Sequence, residues 1–161
     1  MVACSFTDEC AVAVPAERLW KAMSIKSSLL PKACAGYIDS VEVEGDGGVG
    51  SVTTVKFINP AVGGEAMTVK TRVVALDDAA RVIRSEVLEG GKLGEGIKSQ
   101  VNELKVEAAG EGASVVKIKV EYERLDGAAL SPEHQAKMAQ SMLGAVKKVE
   151  AYLAANPDEV V

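Results

Sequence analysis

Val43-Glu44-Gly45-Asp46-Gly47-Gly48-Val49-Gly50-Ser51 runs straight into Val52-Thr53-Thr54-Val55-Lys56-Phe57. The glycines satisfy the spacing GxGxxG, which binds dinucleotides when a strand precedes it and a helix follows. Here the residues that follow are β-branched and alternate, so they form a strand instead. No Lys-Ser or Lys-Thr pair follows Gly50, which removes a Walker-type phosphate loop as well. Gly45, Gly47, Gly48 and Gly50 are then read as a hairpin corner that needs positive φ. The sheet this predicts is antiparallel, not doubly wound.

The period of two continues on both sides of the hairpin. Val41 and Val43 alternate with Glu42 and Glu44, and Val55 and Phe57 with Thr54 and Lys56. Met67 to Val73 and Val115 to Tyr122 alternate as well. Turn residues separate the runs at Asn59-Pro60, Asp77-Asp78, Gly90-Gly91 and Gly110-Glu111-Gly112. At the N-terminal side, Ser5 to Val14 is strand-like. Pro15 suits the first turn of a helix that continues through Met23, with Leu19, Trp20 and Met23 on one face. A second short helix is predicted from Ser27 to about Gly36, bent or cut short by Pro31.

The chain closes with one long helix. Ser131 is its N-cap, Pro132 its first residue and Glu133 the acid of its first turn. Met138, Met142, Ala145, Val149 and Leu153 make an apolar stripe, and Asn156-Pro157 ends the helix. A long antiparallel sheet with one buried face needs a cover, and this helix is the element long enough to supply it. The fold class is α+β, in a single domain over residues 1–161.

Composition narrows the function. The hydrophobic share of 48% is enough to bury a core, while the net charge of −5 disfavours a general nucleic-acid surface. No basic segment leading into an apolar run opens the sequence, and no stretch of membrane-spanning length occurs, so a cytoplasmic protein without membrane attachment is expected. Cys4, Cys10 and Cys34 are odd in number and lack metal-like spacing, so they are read as free thiols. No histidine pair or cysteine cluster suggests a metal, and no cofactor is expected. His134, the one histidine, is read as an exposed or capping residue in a first helical turn.

The glycine loop between strands resembles that of the pathogenesis-related class 10 family, the birch-pollen-allergen-like proteins of plants, in a monocot-type form. Pro15 to Ala22 looks like the family's first helix and Leu30-Pro31-Lys32 like its second. Glu89 to Gly94 matches its second glycine turn, and Glu150 to Pro157 its C-terminal signature. The resemblance implies a helix-grip fold: a seven-stranded antiparallel sheet wrapped around the long C-terminal helix, with two short helices at one end. It also implies a plant defence or stress protein that holds cytokinin-, flavonoid- or steroid-like molecules in an internal cavity. The expected partners are thus small apolar or amphipathic plant metabolites or hormones, bound by a monomer.

Strand parity combined with the resemblance names the candidate lining. It comprises Val55, Phe57, Met67, Val69, Ile83, Ser85, Val87, Gln100 and Asn102 from the strands, and Met23, Leu30, Met138 and Met142 from the helices. Ser85, Gln100 and Asn102 are the polar members, suited to orient a hydroxyl or amine. Lys117 joins them because it matches the inward catalytic lysine of the related norcoclaurine synthases, although alternation with Ile118 also allows a solvated face. The accompanying tyrosine has no counterpart in Gly96 to Gln100, so that synthase activity is not expected.

Two further readings follow from the same resemblance. A ribonuclease acting on RNA would use Glu150 and Tyr152, but the family's lysine and glutamate positions read Thr53 and Lys98 here. A hormone receptor that inhibits a phosphatase would need gate and latch loops, which Glu89 to Glu95 and Asp126 to Leu130 do not match.

Overall fold

The computed structural model describes residues 4–23, 32, 38–46, 48–58, 66–90, 97–125 and 131–157. Within these residues the side chains of Phe57, Ala66, Met67, His134 and Ser141 are outside the description. The second short helix expected around Pro31, and with it Leu30, also lies outside the described residues, as do Cys34 and Gly47.

The element order is β1 (Cys4–Val12), α1 (Ala16–Met23), β2 (Ile38–Glu44), β3 (Val52–Ile58), β4 (Ala66–Asp77), β5 (Val82–Glu89), β6 (Ile97–Ala108), β7 (Ser114–Arg124) and α2 (Pro132–Ala155). The strands form one sheet in the order β1-β7-β6-β5-β4-β3-β2, and every neighbouring pair is antiparallel. The α+β architecture and the seven strands agree with the sequence expectation.

β7 shows how sequence sets the two faces. Val116, Ile118, Val120 and Tyr122 are each at most 1% exposed, while Lys117, Lys119 and Glu121 between them turn outward. Register carries that division across the sheet: Asn102 faces Val120 and Leu104 faces Ile118 on β6. Ser85 then faces Asn102, and Ile83 faces Leu104. Further along, Thr71 pairs with Val87, and Thr53 with Thr71.

Glycine shapes the β2–β3 corner. Gly45 and Gly50 have φ of 114° and 91°, and a Cβ on Gly45 would meet Ser51 Oγ at 2.8 Å. The loop is fastened to β4, because Gly50 N donates to Val73 O and Val73 N donates to Ser51 O. Asp46 Oδ1 accepts from Gly48 N at 2.8 Å and from Ser51 Oγ at 3.3 Å. A carboxylate of the chain thus already takes the loop amide that an anion would seek.

Both helix starts lie close to expectation. Leu19 N donates to Pro15 O, so Pro15 holds the N-cap place of α1, one residue earlier than the sequence reading put it. At neither place is its missing N–H required. β1 also stops at Val12 rather than Val14, because the chain bends at Ala13 and Val14 to enter α1. Gln135 N donates to Ser131 O, as a Ser131 cap requires.

The buried stripe of α2 is shifted from the predicted one. Ala139, Val146, Val149 and Leu153 are at most 2% exposed, whereas Met138, Met142 and Ala145 are only partly buried. Small Ala139 and β-branched Val146 let the helix approach closely, which leaves the longer methionines on the flank. Burial of Val146, Val149 and Leu153 contributes on the order of 1.5–3 kcal/mol each. The main approaches of α2 are to β1, β7 and α1.

Candidate functional site

The concave face, where sheet and helices meet, is the one that could receive a ligand. Val55 and Ile83 pack against the core only partly buried, and so do Leu104, Met142 and Leu143. Val87 is 7% exposed and Val73 2%. The closest approaches of α2 are to β1, β7 and α1. Apolar side chains on a covered face normally bury fully; here several keep accessible surface.

Polar groups interrupt this apolar lining at defined places. Gln100 Nε2 donates to Asn102 Oδ1 at 2.8 Å along β6. Gln135 Nε2, from the first turns of α2, donates to Tyr122 Oη at 3.3 Å. Tyr122 also meets Phe6, ring centroids 6.2 Å apart, and packs with Ile97, Val120, Met138 and Met142. Ser85 sits beside Asn102 in register. Sequence reasoning named Ser85, Gln100, Asn102, Met138 and Met142 but missed Tyr122 and Gln135. The alternation Ile118, Val120, Tyr122 could have placed Tyr122 inward; nothing local signals Gln135.

The remaining candidates are distributed as follows. Val55, Val69 and Val87 occupy concave register positions, Val55 opposite Val69 and Val87 opposite Thr71, and Phe57 pairs with Met67 in the same series. Met23, at the end of α1, is partly buried against the core. Thr53 is 5% exposed, and its hydroxyl has no hydrogen-bond partner among the described residues.

Lys117 departs from the inward expectation. It stands at an odd position of β7, where the even positions face the core, and its Nζ lies 2.9 Å from Glu107 Oε2 on the outer face. The hydrogen bond from Lys117, and then that from Lys105, hold the Glu107 carboxyl below its ordinary range; Glu107 in turn raises Lys117. A groove of about 570 Å³ crosses this outer face beside Thr7, Glu9 and Lys119. Lys105 and Lys117 pair with Glu107 along it, and Lys119 pairs with Glu121.

The four positions weighed for acid–base chemistry are not gathered. Glu150 Oε2 accepts from Ala13 N, and Glu150 Oε1 pairs with Lys147. Tyr152 is partly buried against the core. Lys98 is exposed on β6, and Thr53 stands on β3, near the opposite end of the strand order from β1. Among the described residues no group of three His, Cys, Asp or Glu side chains could hold a metal ion, and no helix is long and apolar enough to cross a membrane.

The fold is that of a seven-stranded antiparallel sheet with a long C-terminal helix, and comparison with known proteins agrees with it. The model of the "Pathogenesis-related protein Bet v 1 family" matches residues 1–156. The chain is 31% identical over 156 residues to the major pollen allergen Bet v 1-C of Betula pendula, covering 96% of each. It is 33% identical over 159 residues to pathogenesis-related protein 1 of Asparagus officinalis, covering 98% of each. Among solved structures, that of Ara h 8.0201 superposes with a TM-score of 0.79 at 28% identity, covering 96% of this chain and 100% of the other. The chain therefore belongs to the pathogenesis-related Bet v 1 family.

Proposed function

We propose that this protein is a defence-related carrier that holds small apolar or amphipathic molecules between α2 and the concave face of the sheet. The observation that carries the reading is the incomplete burial of Val55, Ile83 and Leu104 on the concave face and of Met142 on α2, all packed against one core. Sites for small organic ligands are concave, mainly apolar and furnished with a few placed polar groups. Gln100, Asn102, Ser85 and Tyr122 are such groups here. Met138 and Met142 add pliable surface that adapts to ligands of different shape. Cytokinin-, flavonoid- and steroid-like compounds are the ligand classes that the family resemblance brings. The carrier acts as a monomer in the cytoplasm, where Cys4 and Cys10 stay reduced.

A competition assay with the blocked variant Met142→Trp tests this. The parent should bind a neutral fluorescent apolar dye saturably and release it to a cytokinin or a flavonoid. Met142→Trp fills the space and should weaken dye binding about tenfold while the protein stays folded. A folded variant that binds dye as the parent does would show that Met142 does not line the site.

A further inference from the structure

The inward alternation of β7 ends on a charge. Val116, Ile118, Val120 and Tyr122 fill its inward positions and are each at most 1% exposed. Arg124 has the same parity and stands roughly 7 Å further along the strand. Its register partner on β6 is Ile97, which is 1% exposed, so the position is inward from both strands. The Nε of Arg124 is enclosed, but the residue as a whole is only half-buried and keeps accessible surface. Arg124 already has a partner within the protein. A guanidinium carries five N–H donors in a planar fork, so a partner on one edge leaves it able to serve a second group.

The surroundings of Arg124 specify a chemistry. The other lysines and arginines of β3 to β7 stand at outward positions, and Lys98 is exposed at the bulge between Ile97 and Ser99. Among the described acids of β6 and β7, Glu103, Glu107, Glu121 and Glu123 alternate outward, away from Arg124. Asp8, at an inward position of β1, faces Ile118, well back along β7. The groups beside Arg124 are neutral and hydrogen-bonding. Tyr122 lies opposite Gln100, and its Oη accepts from Gln135 Nε2 of α2 at 3.3 Å. Past Asn102 the inward positions of β6 turn apolar, with Leu104 and Val106. The concave face is thus graded, from a cation among amides at the end of β7 to an apolar lining further in. Arginine stays charged at any working pH, and in apolar surroundings its attraction for an anion exceeds that in water. A carboxylate leaving water needs both a cation and further donors, and this end of the face holds both.

We propose that Arg124 anchors the acidic group of an amphipathic monoanion whose apolar body lies against the inner positions of the sheet, and that this end of the concave face selects acids over their neutral counterparts. The inference rests on the carrier reading and adds the ligand's charge and its anchoring residue.

A matched pair of probes tests it: 1-naphthaleneacetic acid and 1-naphthaleneacetamide, which share one ring system and differ in charge at neutral pH. Calorimetric titration of the parent should show the acid binding about tenfold tighter than the amide. Arg124→Gln keeps a polar side chain and removes the charge. It should weaken acid binding about tenfold and change amide binding by less than about twofold, so that the preference disappears. Arg124→Lys, a point charge without the fork, should keep part of the preference. If Arg124→Gln does not fold, Arg124→Met, which preserves the apolar stem, takes its place with the same expected ratio. The acid-to-amide ratio separates anchoring from a structural role, because damage to the pocket weakens both probes alike. A parent that binds the amide as tightly as the acid, or a folded Arg124→Gln or Arg124→Met that keeps the preference for the acid, would overturn the inference while leaving the carrier reading intact. A parent that binds neither probe nor a neutral apolar dye would remove the carrier reading, and this inference with it.

Discussion

Glu150 Oε2 accepts a 2.6 Å hydrogen bond from the backbone amide of Ala13, which ties the last turns of α2 to the chain just beyond β1. Lys147, one turn earlier, reaches the same place: its Nζ donates to Ala11 O at 2.6 Å and pairs with Glu150 Oε1 at 3.4 Å. A carboxylate that sequence reading could assign to acid–base chemistry is thus committed to holding helix to sheet.

Glu150→Ala should therefore act on stability. Loss of a charge-assisted bond to a backbone amide costs about 1–2 kcal/mol. For a chain of this size that lowers the melting temperature by about 2–8 °C. Glu150→Gln keeps an acceptor for Ala13 N and should recover part of the loss. Thermal melts of the three proteins decide it; equal melting temperatures would mean that the clasp is not held in solution.

Arg18 makes the corresponding contact from α1. Its Nη2 donates to Leu153 O at 3.1 Å and to Asn156 O at 2.8 Å, placing a cation on the open carbonyls at the C-terminal end of α2. Arg18→Ala should destabilise by about 1–2 kcal/mol, and Arg18→Lys by less. Hydrogen exchange should localise the loss to the last turn of α2; a loss spread evenly over the chain would contradict the capping role.

The outer face should make stability fall in acid. The hydrogen bond from Arg84, followed by that from Lys119, holds the Glu121 carboxyl below its ordinary range. A depressed carboxyl favours the folded state above its ordinary value, and that contribution is lost as pH falls through the folded value. The melting temperature should then drop between about pH 5 and pH 3. The drop should shrink in Arg84→Gln and at high salt, because these groups are partly exposed. An Arg84→Gln profile with the parent's acid slope would refute the assignment.

How far the sequence reveals this molecule depends on which signals are local. Alternation along 115–122 and the Ser131-Pro132 cap are local patterns, and they place β7 and α2 directly. Strand parity likewise puts Ser85, Gln100 and Asn102 on the concave face. Parity also contradicts the inward reading of Lys117, which came from matching a family position rather than from its own strand. The approach of Gln135 to Tyr122 joins α2 to β7 across a loop, and no periodicity encodes that. The choice of Ala139 and Val146 over the methionines as the deepest residues of α2 depends on how closely helix and sheet approach, which a stripe of apolar letters does not state. The Thr53 hydroxyl, without a partner among the described residues, becomes visible only once its neighbours on β2 and β4 are known.

Thiol chemistry offers a further check. Cys4 and Cys10 are partly buried on β1. Burial raises the Cys10 thiol above its ordinary value, with Lys147 opposing and Glu150 and Asp8 reinforcing the rise. Cys10 should therefore be labelled slowly by a thiol reagent in the native protein at neutral pH, and rapidly after unfolding. Unfolding without reductant should release three titratable thiols per chain. One thiol alone would reveal a disulfide and contradict the reduced-compartment assignment.

The central claim is that the concave face takes up a ligand, and the direct measurement is a calorimetric titration of the unmodified protein with a neutral flavonoid, paired with its melting temperature. The account predicts saturable one-site binding with a negative heat-capacity change, the mark of apolar burial. At a hundredfold excess over the dissociation constant the folded state gains about 2.7 kcal/mol. The melting temperature then rises by roughly 5–10 °C. Heats that never saturate, with no thermal shift from flavonoid, cytokinin or steroid, would contradict it.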